Sequence, residues 1–149
     1  MTTPITDPGI AALDRVAAMT WRGTEEESLG DWLLRAAGGF TGRANSVLTA
    51  GAPGVPLPEA AARIRHWYSA RGLTPMASVS FPAGHPERSP LDRFFADQGW
   101  TLRDEATVIV MTASLAAITS PPSAPPAVLP VQLASEPGED WLARYHPRG

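Results

Sequence analysis

The sequence predicts a mixed α/β (α+β) domain. Helical and extended patterns alternate along it, adjacent glycines separate two extended runs, and a β-branched apolar run closes the alternation. The elements read in the order α-β-β-α-β-α-β, a β-hairpin followed by α-β-α-β. The first helix lies in TDPGIAALDRVAAMT, where Asp7 suits the N-cap and Pro8 the first helical position, and Ile10, Leu13, Val16 and Ala17 recur at helical spacing. WRGTEEESLG follows as a polar loop, with Glu25, Glu26 and Glu27 read as a solvated face. DWLLRAA and FTGRANSVLTAG then form the hairpin around Gly38 and Gly39, because glycine accepts the positive φ of short hairpin turns; Thr41 and Gly42 are the alternative turn.

After the loop GAPGVPLP, Pro58 and Glu59 open a second helix. It carries Ala61, Ile64, Trp67 and Tyr68 on one face and stops at Gly72. MASVSF is a short strand. Ser89 caps a third helix, with Pro90 and Asp92 in its first turn, Leu91, Phe94 and Phe95 on its apolar side and Gly99 past its end. EATVIVMTASL reads as the last strand, covered on both faces.

The 149 residues are 44% hydrophobic, enough for one domain to close a core. The run TSPPSAPPAVLP, with five prolines, holds neither helix nor central strand. It divides a first domain, residues 1–117, from residues 131–149 through a linker at 118–130. VQLASEPGEDWLARYHPRG reads as a short strand, a turn at Pro137 and Gly138, and a helical start at Trp141, Leu142 and Tyr145. Too short for its own core, it is expected either to dock on the first domain or to begin a second, truncated one; it could also reach another copy of the chain.

Composition excludes several chemistries. A net charge of −3 gives no broad positive field for nucleic acid. There is no cysteine, hence no disulfide, thiolate nucleophile or Cys-bearing zinc site. All twelve basic residues are arginine, which removes Walker, Schiff-base and general-base lysines. No basic leader and no membrane-spanning apolar run is evident, so a soluble, cytoplasmic protein is expected. His66, His85 and His146 are too dispersed for a local metal cluster. No GxSxG elbow occurs, and Asp104 and Glu105 point to opposite faces of an extended chain. Neither metal ligands nor catalytic residues are assigned.

The chemically richest segment holds Arg43, Asn45 and Ser46 beside Val47 and Leu48. On a strand, Arg43 and Asn45 share a face, where a guanidinium and an amide could fix a carboxylate or an amide-bearing small molecule. Alternatively, Arg43 pairs with an acid such as Asp31 while Asn45 closes backbone groups at a bulge. Trp32, Trp67, Tyr68, Phe94, Phe95 and Trp100 read as core.

WLLRAAGGFTGRANSVL, and later LDRFFADQGW followed by ATVIVMTASL, resemble the GCN5-related N-acetyltransferases (GNAT), most closely the amino-terminal half of longer actinobacterial members. In LDRFFADQGW, Phe95, Gly99 and Trp100 take the aromatic, glycine and final aromatic places of the family's helix-to-strand pattern. The resemblance implies a GNAT-like mixed sheet and acetyl transfer from acetyl-CoA to an amine acceptor. It also implies a loop [RQ]xxGx[GA] whose amides and following helix hold the cofactor's diphosphate. At that place stands AGAPGVPLP, with Pro53, Pro56 and Pro58 lacking N–H groups. RAAGGF sets Arg35 and Gly38 in register, but Phe40 fills the last small position. Acetyl-CoA is therefore not expected to bind this chain alone. The expectation is a degenerate accessory or acceptor-side domain that serves a small-molecule amine acceptor through a carboxy-terminal catalytic domain. The alternative is a non-catalytic binding or assembly module of the same fold.

Overall fold

The computed structural model describes residues 7–82, 89–103, 107–116 and 134–145. Two compact units divide at Val108 and Ile109. The first is a mixed α+β unit. Helix α1 spans Pro8–Ala18, strand β1 Glu25–Leu29, β2 Trp32–Ala36 and β3 Val47–Leu48, with a 3-10 turn at Arg43–Asn45. Helix α2 spans Leu57–Ser69, strand β4 Ala77–Ser78 and helix α3 Pro90–Asp97. The four strands lie in the order β1-β2-β3-β4; the first two pairings are antiparallel and β3 with β4 is parallel.

The helix ends follow local chemistry. Asp7 accepts hydrogen bonds from the Gly9 and Ile10 amides, and Ser89 Oγ accepts one from Asp92. At the other ends, Gly72 and Gly99 adopt φ of 66° and 79°. Leu73 and Trp100 then donate back to the Tyr68 and Phe95 carbonyls, closing a Schellman turn on each helix.

Alternation along β2 sends its side chains to two cores. Trp32, Leu34 and Ala36 pack with Val47 of β3, with Ala60, Ala61, Ile64, Trp67 and Tyr68 of α2, and with Leu91 and Phe95 of α3. Leu33 turns the other way, to Leu48, Ala50 and the small residues Ala11 and Ala18 of α1. The sheet is thus covered on both faces, and the alanines let α1 approach it closely.

Four local expectations are corrected. Glu25–Leu29 is an edge strand rather than a loop: Glu25 bonds to Arg71 and Glu27 to Trp67 of α2, Glu26 pairs with the nearby Arg22, and charge suits a sheet edge. Consequently the tight hairpin is β1 with β2, turning at Gly30 and Asp31 rather than at Gly38 and Gly39. Arg43–Asn45 is a 3-10 turn, so β3 begins only at Val47. In the run read as the last strand, residues 105–106 lie outside the described residues, and Thr107–Ser114 have no strand pairing among the described residues. Val108 belongs to the end of the first unit and Ile109, Val110 and Met111 to the second; all are exposed. A β-branched run becomes a strand only where a neighbouring edge takes its backbone groups.

In the second unit, helix α4 spans Glu139–Tyr145, where the sequence places a helical start. The proline-rich run at 118–130 and the strand expected from residue 131 to 133 lie outside the described residues.

Tyr68 ties the helical layer to the sheet. Its hydroxyl donates to the Arg35 carbonyl at 3.0 Å and accepts from the Arg35 amide at 3.3 Å, past the paired residues Leu33 and Leu48 of β2 and β3. Burial pushes its pKa up to about 12, from an ordinary 10.0. The stabilisation tied to the protonated phenol is therefore complete below pH 10 and lost as pH rises through about 12. Tyr68→Phe leaves two buried backbone groups without this partner and is expected to destabilise the fold by about 1–3 kcal/mol in chemical denaturation; an unchanged midpoint would show the hydroxyl to be dispensable.

Candidate functional site

The segment from Ala37 to Ser46 is shaped by Asn45. Gly38 and Gly39 take φ of 60° and 80°, carrying the chain out of β2. The Asn45 side chain then closes the loop. Its Oδ1 accepts from the amides of Ala37 at 2.7 Å and Gly39 at 2.9 Å, while its Nδ2 donates to the Thr41 carbonyl at 2.7 Å. Asn45 is 1% exposed and Ser46 5%. Of the three residues singled out in the sequence, only Arg43 reaches the surface. Its guanidinium lies 5.0 Å from the Trp21 ring centroid, where a cation meets the negative face of an indole. Asp31 is not its partner: no ion pair joins the two among the described residues, and the Asp31 carboxylate accepts from the Ala52 amide. The 3-10 turn separates Arg43 and Asn45, so the two do not converge on one strand face.

Arg35, weighed in the sequence only as the head of the loop-like string RAAGGF, is a charged group of the interior. Its position in WLLRAA carries the signal, since alternation puts it beside Leu33 on the α1 side of the sheet, where an apolar residue is the norm. It is 3% exposed. Nε donates to the Ser46 carbonyl at 3.2 Å, Nη2 to Ser46 Oγ at 3.3 Å and Nη1 to the Trp21 carbonyl at 3.4 Å. Burial lowers its pKa from the ordinary arginine value, opposed by attraction to Tyr68, Glu26 and Asp14. Asp14, on α1, is half-buried and accepts from Ser80 Oγ at 3.0 Å. Its pKa is raised, because desolvation outweighs the Ser80 hydrogen bond and the Arg35 charge. A polar cluster thus joins α1 to the sheet, its interior charge held by neutral oxygens.

The loop before α2 is fastened to the hairpin turn. Asp31 donates its amide to the Ala52 carbonyl at 2.7 Å, and its Oδ2 accepts from the Ala52 amide at 3.0 Å. Trp32 Nε1 donates to the Gly51 carbonyl at 3.2 Å, and Arg15 Nη2 to the Ala50 carbonyl at 2.9 Å. Gly30 has φ of 60°, and a Cβ there would stand 2.4 Å from the Pro53 carbonyl carbon, so only glycine lets turn and loop meet. Helix α2 then starts from Pro56 with no side-chain cap. Pro58 lies in its first turn, as does Glu59, whose carboxylate pairs with Arg63 at 2.6 Å. A diphosphate arriving here meets prolines, an amide already bonded to Asp31 and a like charge, instead of the row of amides that a phosphate cradle needs.

The comparison with known proteins agrees with an acetyltransferase-related origin. A family model described as "Probable histone acetyltransferase Rv0428c C-terminal" matches residues 8–149. The chain belongs to this family. One member of the Rv0428c C-terminal family, the probable histone acetyltransferase Rv0428c of Mycobacterium tuberculosis (strain ATCC 25618 / H37Rv), is 33% identical over 151 residues. The match covers 97% of this chain and 41% of that relative, so the chain spans well under half of the relative's length. The family description refers to a carboxy-terminal region and does not single out an amino-terminal GCN5-related domain. No solved structure matches.

Among the described residues of this family member, no group of three or more potential ligands could hold a metal ion, and no helix is long and apolar enough to cross a membrane. The Asp14 cluster makes a test of the site's electrostatics. A raised folded pKa means that folding favours the protonated carboxyl. That contribution is full below the usual aspartate range and is lost as pH climbs through the folded value, leaving a cost at neutral pH. Asp14→Asn, which mimics the protonated form, is expected to raise the melting temperature at pH 7 and to lose this advantage in acid; a lower melting temperature at pH 7 would mean that the attraction to Arg35 outweighs desolvation.

Proposed function

We propose that this chain is an accessory, acceptor-side part of an acetyltransferase. In this reading the longer protein transfers acetyl from acetyl-CoA to an amine, and the cofactor-holding loop belongs to another part of it. The observation that carries the reading is the union of Ala52 with Asp31, which engages the loop before α2 with the hairpin turn. Three prolines between Ala50 and Glu59 support it further, since each removes an N–H from the path a diphosphate would take. Arg43, held outward over Trp21, is the side chain of this region best placed to meet an acceptor or a neighbouring domain. The relative's name suggests a basic protein as the acceptor class to try first, and a net charge of −3 suits attraction to one.

Isothermal titration tests the proposal. Acetyl-CoA added to the 149-residue chain is expected to give no saturable heat, whereas a longer natural protein containing this segment is expected to bind it. A 1:1 interaction of micromolar strength with the chain alone would overturn the accessory reading.

A further inference from the structure

A cleft of about 350 Å³ opens between β1 and α2, away from the loop that precedes the helix. Leu29, Leu34, Ala62 and Trp67 give it apolar walls, while Glu27, Ser28, Arg63 and His66 supply its polar groups. Alternation along β1 turns Glu25, Glu27 and Leu29 to the same side, toward α2. There the two glutamates have different fates. Glu25 forms an ion pair with Arg71 at 3.0 Å, and on the other side of the strand Glu26 pairs with Arg22 at 2.9 Å. Glu27 takes part in none of the ion pairs found among the described residues. Instead, its Oε2 accepts from the neutral indole N–H of Trp67 at 2.7 Å.

That bond orients the carboxylate without neutralising it, and it engages only one oxygen. The indole is itself fixed: the Arg71 guanidinium lies 3.6 Å from its ring centroid and Tyr68 meets it edge-on at 4.9 Å. The cation at the rim, Arg63, is matched by Glu59. The cleft therefore combines an oriented, exposed carboxylate that takes part in none of the ion pairs among the described residues with apolar walls and an exposed imidazole, at the lower end of the size range of small-ligand sites.

We propose that this cleft binds a small organic cation, a primary ammonium carried on a short apolar stem. The ammonium donates to Glu27 Oε1, the stem lies along Leu29, Leu34 and Ala62, and the His66 ring offers a second acceptor. An anion is disfavoured by Glu27, and a neutral alcohol leaves its charge unmatched. The site is independent of acetyl transfer and does not require the chain to be part of an acetyltransferase.

Titration of the whole 149-residue chain with n-pentylammonium, followed through the indole N–H resonance of Trp67, tests this proposal. A saturable shift is expected, with at most a weak response to 1-pentanol and none to pentanoate. Glu27→Gln keeps an acceptor for the indole but removes the charge, and is expected to weaken binding by about tenfold or more. Ala62→Leu fills the cleft while leaving Glu27 in place, and is expected to abolish the shift even if the first variant misfolds. Equal responses to amine and alcohol, preferential binding of pentanoate, or unchanged affinity in either folded variant would show that Glu27 only anchors Trp67.

Discussion

The paired hydrogen bonds between Asp31 and Ala52 are the constraint on which the described sheet depends. They join a hairpin turn to the loop that leads into α2, two places far apart in sequence. Gly30 allows the close approach because it has no Cβ to strike Pro53. Trp32, next in the chain, sends its indole N–H to Gly51 while its rings enter the core beside Phe95. The same contact thus orders the first residue of β2, sets the start of α2 and anchors the largest fully buried side chain of the main core. It also determines what the loop can do chemically, since backbone groups turned toward the protein are withdrawn from any ligand.

A second constraint lies where β2 and β3 part. A sheet that splits in its interior must satisfy the exposed backbone in another way. Here the Tyr68 hydroxyl serves the Arg35 backbone, and the Arg35 side chain serves the Ser46 carbonyl. One residue of α2 and one buried guanidinium together replace a stretch of ladder. The cost of burying the Arg35 charge is offset by neutral oxygens at three of its nitrogens and by attraction to carboxylates at longer range. This arrangement explains why a cation can stand in the strand WLLRA, in a sheet covered on both faces.

The helices were legible in the sequence because their signals are local. Asp7 and Ser89 cap, Gly72 and Gly99 terminate, and the stripe of Ala61, Ile64, Trp67 and Tyr68 marks the buried face of α2. Strand β1 was not, because EEESL satisfies no apolar alternation and gains its partners from Arg22, Trp67 and Arg71. Gly38 and Gly39 do take the positive φ that the sequence suggests, yet they open a loop rather than a hairpin turn, since Asn45 gathers their segment by hydrogen bonds. The segment containing Arg43, Asn45 and Ser46 was recognisable as unusual. The division of its side chains, one outward and two inward, depends on a 3-10 turn that a period of two cannot reveal. Arg35 stands out by its place in the alternation of WLLRA, whereas Glu27 becomes informative only when tertiary contacts show which carboxylates have counterions.

Amide hydrogen exchange at Ala52 and Asp31, with and without acetyl-CoA, bears most directly on the claim that the loop before α2 is already engaged. Both amides are expected to exchange slowly in the free chain, at rates that the cofactor leaves unchanged. Rapid exchange in the free chain that becomes slow only when acetyl-CoA is added would show a loop waiting for its ligand and contradict this account.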